Sequence, residues 1–388
     1  MIFVAWKMLT GDRGKYAGMI FGLFIASFLI IQQMSIFCGL MARTFGFLSD
    51  TSQPDIWVMD GKVQYVDDIK PLQDTVLLRI RGIKGVDWAA PLYKGQIKAR
   101  VSDGTFQNCN VIGIDDASLV GGPPTMLEGK LSDLRKADAI IVDVAGAKDK
   151  VARKAVGPDG KVKITPLKVG DVLELNDRRA NVVGICETTR TFQSQPTIYT
   201  TYNRAMLFAP RERKLLSFVL VHAAAGQSVP ELCKRISTDT GMLAASTAAF
   251  KYKTVDYFMR NTGIPINFGI SVALGFVVGT AIAGLLFYQF TQDNIRHFGA
   301  LKAMGASDGQ LLKMILLQSL LVGFIGYGLG AGAASFMGFG GRNTELAFWM
   351  PWWVLAGGAV AIACICVASA LVAIVKVIRL EPAIVFKG

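Results

Sequence analysis

Few residues of this sequence combine into the patterns that catalysis requires. The chain has two histidines, His222 and His297, in unrelated segments, and no H-E-x-x-H motif occurs. Neighbouring acids such as Asp115 and Asp116 are typical of solvated turns, because adjacent side chains on a strand point apart. The sequence therefore predicts no catalytic residue and no metal site, and an enzyme is the least favoured class.

A phosphate-binding loop is also missing from the sequence. A Walker A motif needs G-x-x-x-x-G-K-[ST], so that backbone amides hold the phosphates and the hydroxyl holds Mg²⁺. The nearest segments, "GPDGKVK" and "LEGKLS", lack the glycine spacing and the Ser or Thr. We therefore expect no cofactor in this chain, and any work driven by ATP and Mg²⁺ must come from another subunit.

The most specific local chemistry lies in a polar segment, "FGALKAMGASDGQLLKM" at residues 298–314, between two apolar stretches. A three-residue repeat predicts one face of a short helix that carries cations elsewhere. The repeat consists of Ile295, Phe298, Leu301 and Met304, and the other polar residues are Arg296, His297 and Lys302.

This short helix is predicted to end at Gly305, a common signal at a helix C-terminus. Ser307 and Gln310 then predict a capping box that starts the next helix, with Asp308 in its first turn. Two interpretations remain equal on residue chemistry alone. The segment is either a stiff joint that docks in a groove of a partner, or an interfacial anchor whose cations meet anionic lipid.

The polar segment is flanked by stretches long enough to cross a membrane. Hydrophobic residues make up 52% of the chain and charged residues 18%, and the mean hydropathy is +0.41. Four stretches exceed the roughly 20 residues that a helical span needs: 16–40, 264–292, 314–341 and 346–375. A cleaved signal peptide is the alternative for the first stretch, but the apolar run is too long for one.

Charge predicts the orientation of these spans. Nine Lys and Arg and four acidic residues lie in the N-terminal segment, in the hinge 293–313 and in the tail after residue 375. The positive-inside rule then places both termini and the hinge in the cytoplasm. The domain boundaries follow as 1–40, 41–263 and 264–388, with the middle segment outside the cytoplasm, inserted between the first and second spans.

The segment 41–263 is predicted to be a mixed α+β domain. "PDIWVM" has the pattern of a strand, and Asp103-Gly104 and Asn176-Asp177 are typical of hairpin turns. "AVGPDGKVKITPL" is rich in Gly and Pro, which favours a loop insertion. Cys109, Cys186 and Cys233 allow at most one disulfide, and no clustered basic and aromatic surface for nucleic acid is evident.

Small residues in the apolar stretches favour close helix packing, either within the chain or in a homodimer. The pairs at glycine-x-x-x-glycine spacing are Gly275 with Gly279, Gly326 with Gly330, and Gly328 with Gly332. Ordinary glycine abundance in membrane helices is an equal alternative for any single pair. Trp349, Trp352 and Trp353 are typical of an interfacial belt.

"ALKAMGASDGQLLKMILLQSLLVGFIGYGLG" resembles the FtsX-like permease region of MacB-type (type VII) ABC transporters, where E-I-x-x-L-K-A-hydrophobic-G-A joins the second and third membrane helices. "GIKGVDWAAPLYKGQIKAR", "NVIGID" and "KVGDVLELNDRRANVVGI" resemble the periplasmic core domain of that family, and "RLEPAIVFKG" resembles its C-terminus. The separate permease and its length are most similar to DevC-like members. Where the family often has glutamate, this chain has His297 or Phe298.

The resemblance implies a four-span inner-membrane permease of an exporter, with both termini cytoplasmic and a large periplasmic domain. The hinge would be a coupling helix that docks in a groove of a separate ATPase subunit, which binds ATP and Mg²⁺. A homodimer, a membrane-fusion adaptor and an outer-membrane channel are the further partners implied. The rivals are an FtsX-like mechanotransmission complex that regulates a cell-wall hydrolase, and a membrane-anchored binding or sensor protein.

Overall fold

The computed structural model describes residues 2–156, 162–210 and 215–378. The chain divides into two compact units, one made of 1–40 with 263–388 and the other of 41–262. The C-terminal segment "RLEPAIVFKG", used above for the family resemblance, lies outside the described residues.

Twelve α-helices, numbered in chain order, occur in the described part of the chain. They are α1 (Ile2–Gly11), α2 (Arg13–Thr44), α3 (Gly46–Asp50), α4 (Asp74–Arg81), α5 (Val144–Lys148), α6 (Tyr202–Phe208), α7 (Val229–Thr240), α8 (Thr247–Asn261), α9 (Ile264–Asp293), α10 (Ile295–Ala303), α11 (Asp308–Gly340) and α12 (Trp352–Ile378). Short 3₁₀ helices cover Leu131–Arg135 and Gly341–Asn343.

Four of these helices, α2, α9, α11 and α12, are long and apolar enough to cross a membrane by length and composition. The prediction of four apolar helices is thereby confirmed. The predicted start of the fourth is wrong by six residues, since residues 346–351 are not helical and the helix begins at Trp352. Pro351 explains the difference, because proline disfavours helical geometry at the residue before it.

The other three long helices, α9, α11 and α12, pack closely against α2. A Cβ added at Gly279 of α9 would lie 2.5 Å from Ala26 Cβ, and one at Gly330 of α11 would lie 2.8 Å from the backbone nitrogen of Phe28. From α12, a Cβ at Gly358 would lie 2.8 Å from Ile31 Cγ1. Glycine on three helices therefore lets each of them contact α2.

The second unit is a mixed α/β domain, as predicted. Twelve strands are described: β1 (Ile56–Met59), β2 (Val86–Arg100), β3 (Phe106–Ile114), β4 (Thr125–Glu128), β5 (Ala139–Asp143), β6 (Arg153–Val156), β7 (Val162–Thr165), β8 (Val172–Leu175), β9 (Arg178–Glu187), β10 (Thr197–Thr201), β11 (Phe218–Ala223) and β12 (Leu243–Ser246). Ten of these form one sheet in the order β12-β1-β11-β2-β3-β10-β5-β9-β4, with β8 beside both β2 and β9.

The long strand β2 joins two parts of this sheet. Its first half pairs with β11, and its second half pairs with β3 from Tyr93 onwards. Because β8 pairs with both β2 and β9, the strands β2, β3, β10, β5, β9 and β8 close into a barrel. A hydrophobic cluster that includes Ile97, Val142 and Val182 is drawn from these strands.

Turn residues set the register of this barrel. The strands β2 and β3 form the hairpin predicted at Asp103-Gly104, with Arg100 opposite Phe106. The strands β8 and β9 join at Asn176 and Asp177, which both have positive φ as a type I′ turn requires. The loop predicted from "AVGPDGKVKITPL" is wrong, since β6 and β7 pair as a hairpin. β-branched residues on either side of the glycines explain the pairing.

We expect glycines that contact α2 to be more sensitive to substitution than those that do not. Gly330→Ala should lower the free energy of unfolding by about 1 to 3 kcal/mol, because its Cβ would overlap Ser27 and the backbone of Phe28 in α2. Gly332→Ala is the matched control, since nothing lies within 4 Å of its added Cβ. Unfolding in mixed detergent micelles, followed by circular dichroism, measures both variants. Equal destabilisation would contradict this packing.

Candidate functional site

The polar segment predicted to be a joint folds as a short helix between two long ones. The helix α10 follows α9 after the single residue Asn294, whose side-chain amide donates to the Phe290 carbonyl at 2.9 Å. The backbone carbonyl of Asn294 in turn accepts from the amides of His297 and Phe298, at 3.0 and 3.1 Å. One residue therefore ends α9 and starts α10, which leaves little freedom between the two helices.

One face of α10 is buried in its own unit. Phe298 is fully buried in a hydrophobic cluster that includes Leu9 of α1 and Leu311 of α11. Leu301 packs against the same cluster and is half-buried. The prediction that Phe298 belongs to a partner-binding surface is corrected, because its ring already fills the core beneath the helix.

The exposed face of α10 has a different composition from the one that the three-residue repeat predicted. Arg296, His297 and Met304 are exposed, and 76% of Met304 is accessible. Ile295 and Lys302 are half-buried. The repeat failed to identify this face because a spacing of three drifts around a helix of 3.6 residues per turn. As a result, Phe298 and Met304 lie in different environments.

The end of α10 is fixed by backbone hydrogen bonds. The amide of Gly305 donates to the Lys302 carbonyl, and the amide of Ala306 donates to the Leu301 carbonyl, each at 3.0 Å. This pair of bonds is a Schellman motif, and it requires the left-handed φ of +97° that Gly305 adopts. The half-buried residues Leu301 and Ala306 both pack against the core of this unit.

The next helix starts at once with a capping box. The hydroxyl of Ser307 accepts from the Gln310 amide at 3.4 Å, and the Ser307 amide donates to Gln310 Oε1 at 3.0 Å. Lys302 Nζ of α10 lies 3.0 Å from Asp308 Oδ1 at the start of α11. The Schellman motif, the capping box and this ion pair hold α10 and α11 at a defined angle. We call residues 294–310 the helix joint.

Sequence reasoning missed the N-terminal helix α1 and its role beside the joint. Leu9 of α1 is fully buried in the cluster that also contains Phe298. After α1, Lys15 lies 2.5 Å from Asp293, the last residue of α9, and 3.3 Å from Asp12. The apolar run "IFVAW" and the break at Gly11-Asp12 were the available signals. The pairing of Lys15 with Asp293 joins residues far apart in the chain, so no local sequence pattern could have predicted it.

The glycines predicted to pack helices or a dimer contact α2 of the same chain. A Cβ at Gly326 would lie 2.8 Å from Leu23 Cβ, and one at Gly275 would lie 3.5 Å from Ile30. Together with Gly279 and Gly330, they face a helix of their own unit. Gly328 and Gly332 meet nothing within 4 Å. The four glycines predicted as packing residues therefore serve packing within the chain.

In the residues that the structure describes, no group of three His, Cys, Asp or Glu lies close enough to hold a metal ion. His222 stacks on Trp88 with ring centroids 5.5 Å apart, and its Nδ1 lies 2.7 Å from Asp55. Burial raises the pKa of the Cys109 thiol to about 12, and it also raises the pKa of Cys186. Both thiols are buried, which favours their protonated form.

Two family models match the chain. Residues 17–238 match the MacB-like periplasmic core domain, and residues 268–382 match the FtsX-like permease C-terminal region. The chain belongs to the MacB/FtsX-like (type VII) ABC permease family. The first match alone covers more than half of the sequence, and the helix joint lies within the second.

Solved structures of transporter and permease domains are similar to parts of the chain at low identity. The periplasmic region of MacB from Actinobacillus actinomycetemcomitans has 14% identity over 55% of this chain and 94% of that one, with a TM-score of 0.38. The extracellular domain of the noncanonic ABC-type transporter YknZ from Gram-positive bacteria has 12% identity over 50% and 99%, with a TM-score of 0.34. A domain of a putative permease from Porphyromonas gingivalis has 14% identity over 49% and 88%, with a TM-score of 0.30. No curated protein sequence matches the chain.

Family membership and the four apolar helices indicate an inner-membrane protein with a periplasmic domain. Members are membrane subunits of ABC transporters, typically non-catalytic, and the family implies a partner ATPase. Within such a subunit, the helix joint is a rigid, capped element with a mixed polar and apolar exposed face.

The capping box makes a local prediction about the helix joint. Ser307→Ala should raise amide hydrogen exchange in the first turn of α11 by roughly fivefold, since an N-cap is worth about 1 kcal/mol. Ser307→Asn keeps an acceptor at the N-cap and is the matched control. Exchange in the full chain, followed by mass spectrometry, resolves this turn from the rest of α11. Unchanged exchange in Ser307→Ala would show that the box does not hold the joint.

Proposed function

We propose that this chain is the permease subunit of an ABC exporter, in which ATP hydrolysis by a separate ATPase subunit moves the periplasmic domain. The movement would expel a substrate from the periplasm or the outer leaflet of the membrane. The helix joint supports the proposal most directly, because it offers an exposed face on a helix that is fixed at both ends. The chain itself would contribute binding and motion and no catalysis.

The proposed coupling between the ATPase and the long helices depends on the stiffness of the helix joint. A partner that displaces α10 acts on α9 through Asn294 and on α11 through Gly305 and Ser307, because none of these connections is a flexible linker. Phe298 resists rotation of α10 about its own axis, since its ring is enclosed in the core. Arg296, His297 and Met304 are the exposed residues that we assign to the ATPase contact.

The proposal includes further partners and an orientation. ATP and Mg²⁺ would bind to the ATPase, and two copies of this chain would form a homodimer with two ATPases. A membrane-fusion adaptor and an outer-membrane channel would continue the export path, as in DevC-like systems. Both termini and the helix joint would be cytoplasmic, with residues 41–263 in the periplasm between the first two spans. The apolar side chains exposed along α9, such as Ile270 and Val277, suit lipid.

Cysteine labelling tests this orientation in cells. Ala117 and Ala303 are both exposed, so Ala117→Cys and Ala303→Cys form a matched pair in a Cys233→Ala background. A membrane-impermeant maleimide should label Ala117→Cys before the inner membrane is disrupted and Ala303→Cys only afterwards. Labelling of Ala303→Cys from outside would reverse the proposed topology. Its labelling after lysis controls for reactivity.

The ATPase contact is tested by co-purification of the full chain in mild detergent. Met304→Asp should weaken association with the ATPase by about tenfold or more, because burying a carboxylate without a partner costs a few kcal/mol. Met259→Asp is the matched control, since Met259 is an exposed methionine of α8 in the other unit. Phe298→Asp should instead destabilise the fold, because Phe298 lies in the core.

Two results would overturn parts of this proposal. Equal recovery of the ATPase with Met304→Asp and Met259→Asp would remove α10 from the contact. The companions identified by mass spectrometry decide the rest. An adaptor beside the ATPase supports export, whereas a cell-wall hydrolase in its place would favour a mechanotransmission complex. Recovery of the intact chain with no ATPase would leave only a binding or sensor role.

A further inference from the structure

One end of the barrel in the second unit combines cations with exposed apolar side chains. We call residues 98–106, 148–154 and 164–179 the barrel end. These segments contain nine Lys and Arg and five Asp and Glu. A groove of about 480 Å³ runs between the turn at Ser102 and Gly104 on one side and strand β8 with Arg179 on the other. Arg100 and Arg179 line this groove, together with Glu174 and Asp177.

Few of the cations on the barrel end are neutralised by acids. Arg100 lies 3.6 Å from Glu174, and Arg153 pairs with Asp171. Asp103 is held by its own turn, where it accepts from the amide and hydroxyl of Thr105. Within the described residues, Lys98, Lys148, Lys168 and Arg178 make no ion pair. The surface therefore carries a net positive charge that is open to an external anion.

Large apolar side chains on the barrel end are exposed to water, which is energetically unfavourable. The exposed fractions are 64% for Phe106, 51% for Ile164, 45% for Val169 and 47% for Val172. Phe106 is directly opposite Arg100 across the hairpin. The hairpin of β6 and β7 that carries Ile164 is held to the same turn by a hydrogen bond from the Lys154 amide to the Ser102 hydroxyl. Apolar tips among cations are the pattern of an interfacial membrane-binding surface.

Contacts within the second unit place the barrel end beside the chain segments that lead into the spans. The loop 188–196 between β9 and β10 touches the barrel end, where Ser194 O accepts from Lys150 Nζ at 2.6 Å. Next to the barrel end, the Gln107 side-chain amide donates to Gln195 Oε1 of the loop at 2.8 Å. The same Ser194 lies 3.5 Å from Arg43, in the last turn of the candidate span α2. Since Arg43 follows the apolar run of α2, it lies near a membrane surface.

Contacts with α8 also place loop 188–196 close to a segment that leads into a candidate span. Phe192 of the loop packs on Phe258 of α8, with ring centroids 5.1 Å apart. Phe258 lies only six residues before Ile264, where the candidate span α9 begins. Thr189 also donates to Asp50 of α3 through its amide and its hydroxyl, both at 2.7 Å. The loop is thus bound to the segments that leave and re-enter the membrane, and the barrel end adjoins the loop.

We infer that the barrel end rests on the outer face of the membrane that the chain spans, and that it binds anionic phospholipid headgroups there. Lysine and arginine side chains meet the phosphates, and Phe106, Ile164 and Val172 enter the headgroup layer. The inference is independent of the ATPase and of the exported substrate. It assigns to the second unit a lipid contact of its own.

The test uses the full chain in nanodiscs made of phosphatidylcholine alone or of phosphatidylcholine with phosphatidylglycerol. An environment-sensitive fluorophore is placed at Phe106→Cys, in a background with Cys233 and Cys364 replaced by Ala. We expect a blue shift in the discs that contain phosphatidylglycerol, reversed by high salt and lost in Lys98→Glu/Lys168→Glu. A spin-labelled lipid should quench the probe in those discs. These results would support the lipid contact.

Two control variants test the position of the probe and the loss of positive charge. Leu127→Cys is the matched control for the probe, because Leu127 is 49% exposed on the edge strand β4 outside the barrel end. Lys84→Glu/Lys234→Glu controls for the loss of positive charge elsewhere on the domain. The same emission from Phe106→Cys in both kinds of disc would overturn the inference. A blue shift that appears only when an adaptor protein is added would overturn it as well, since a protein would then cover this surface.

Discussion

Close packing of α2 against the other three long helices is the interaction on which the rest of the first unit depends. Lipid chains are as apolar as the helix surfaces, so burial of hydrophobic area drives little association, and van der Waals contact must hold the helices together. Glycines on α9, α11 and α12 supply that contact by removing Cβ atoms at the crossings.

The helix joint adds a second set of fixed contacts to the first unit. Phe298 and Leu9 share a core with Leu311, so α1 and α10 are seated on the spans. Asn294, Gly305 and Ser307 then satisfy the backbone groups that helix ends leave open. With its termini hydrogen-bonded and one face buried, α10 has little independent motion. The family of this chain implies a partner ATPase. A stiff α10 would suit contact with such a partner.

In the second unit, the long strand β2 takes part in both an open sheet and a barrel. The first half of β2 belongs to a sheet with β11 and β1, and the second half belongs to the barrel that β8 closes. Loop 188–196 leaves that barrel and is bound to α3 and α8, the helices next to the spans. The barrel end, the loop and the adjoining helices therefore form a continuous set of contacts. A lipid contact at the barrel end would act on the whole set.

The sequence by itself determined the features that depend on local chemistry. Long apolar runs, the capping box at Ser307, the helix end at Gly305 and the turns at Asp103-Gly104 and Asn176-Asp177 all follow from neighbouring residues. Tertiary structure alone decided which face of α10 is exposed, because burial of Phe298 depends on α1 and α11. It also decided which helix the glycines meet, that β8 closes a barrel, and that Lys15 pairs with Asp293. These contacts join residues far apart in the chain, for which local spacing carries no signal.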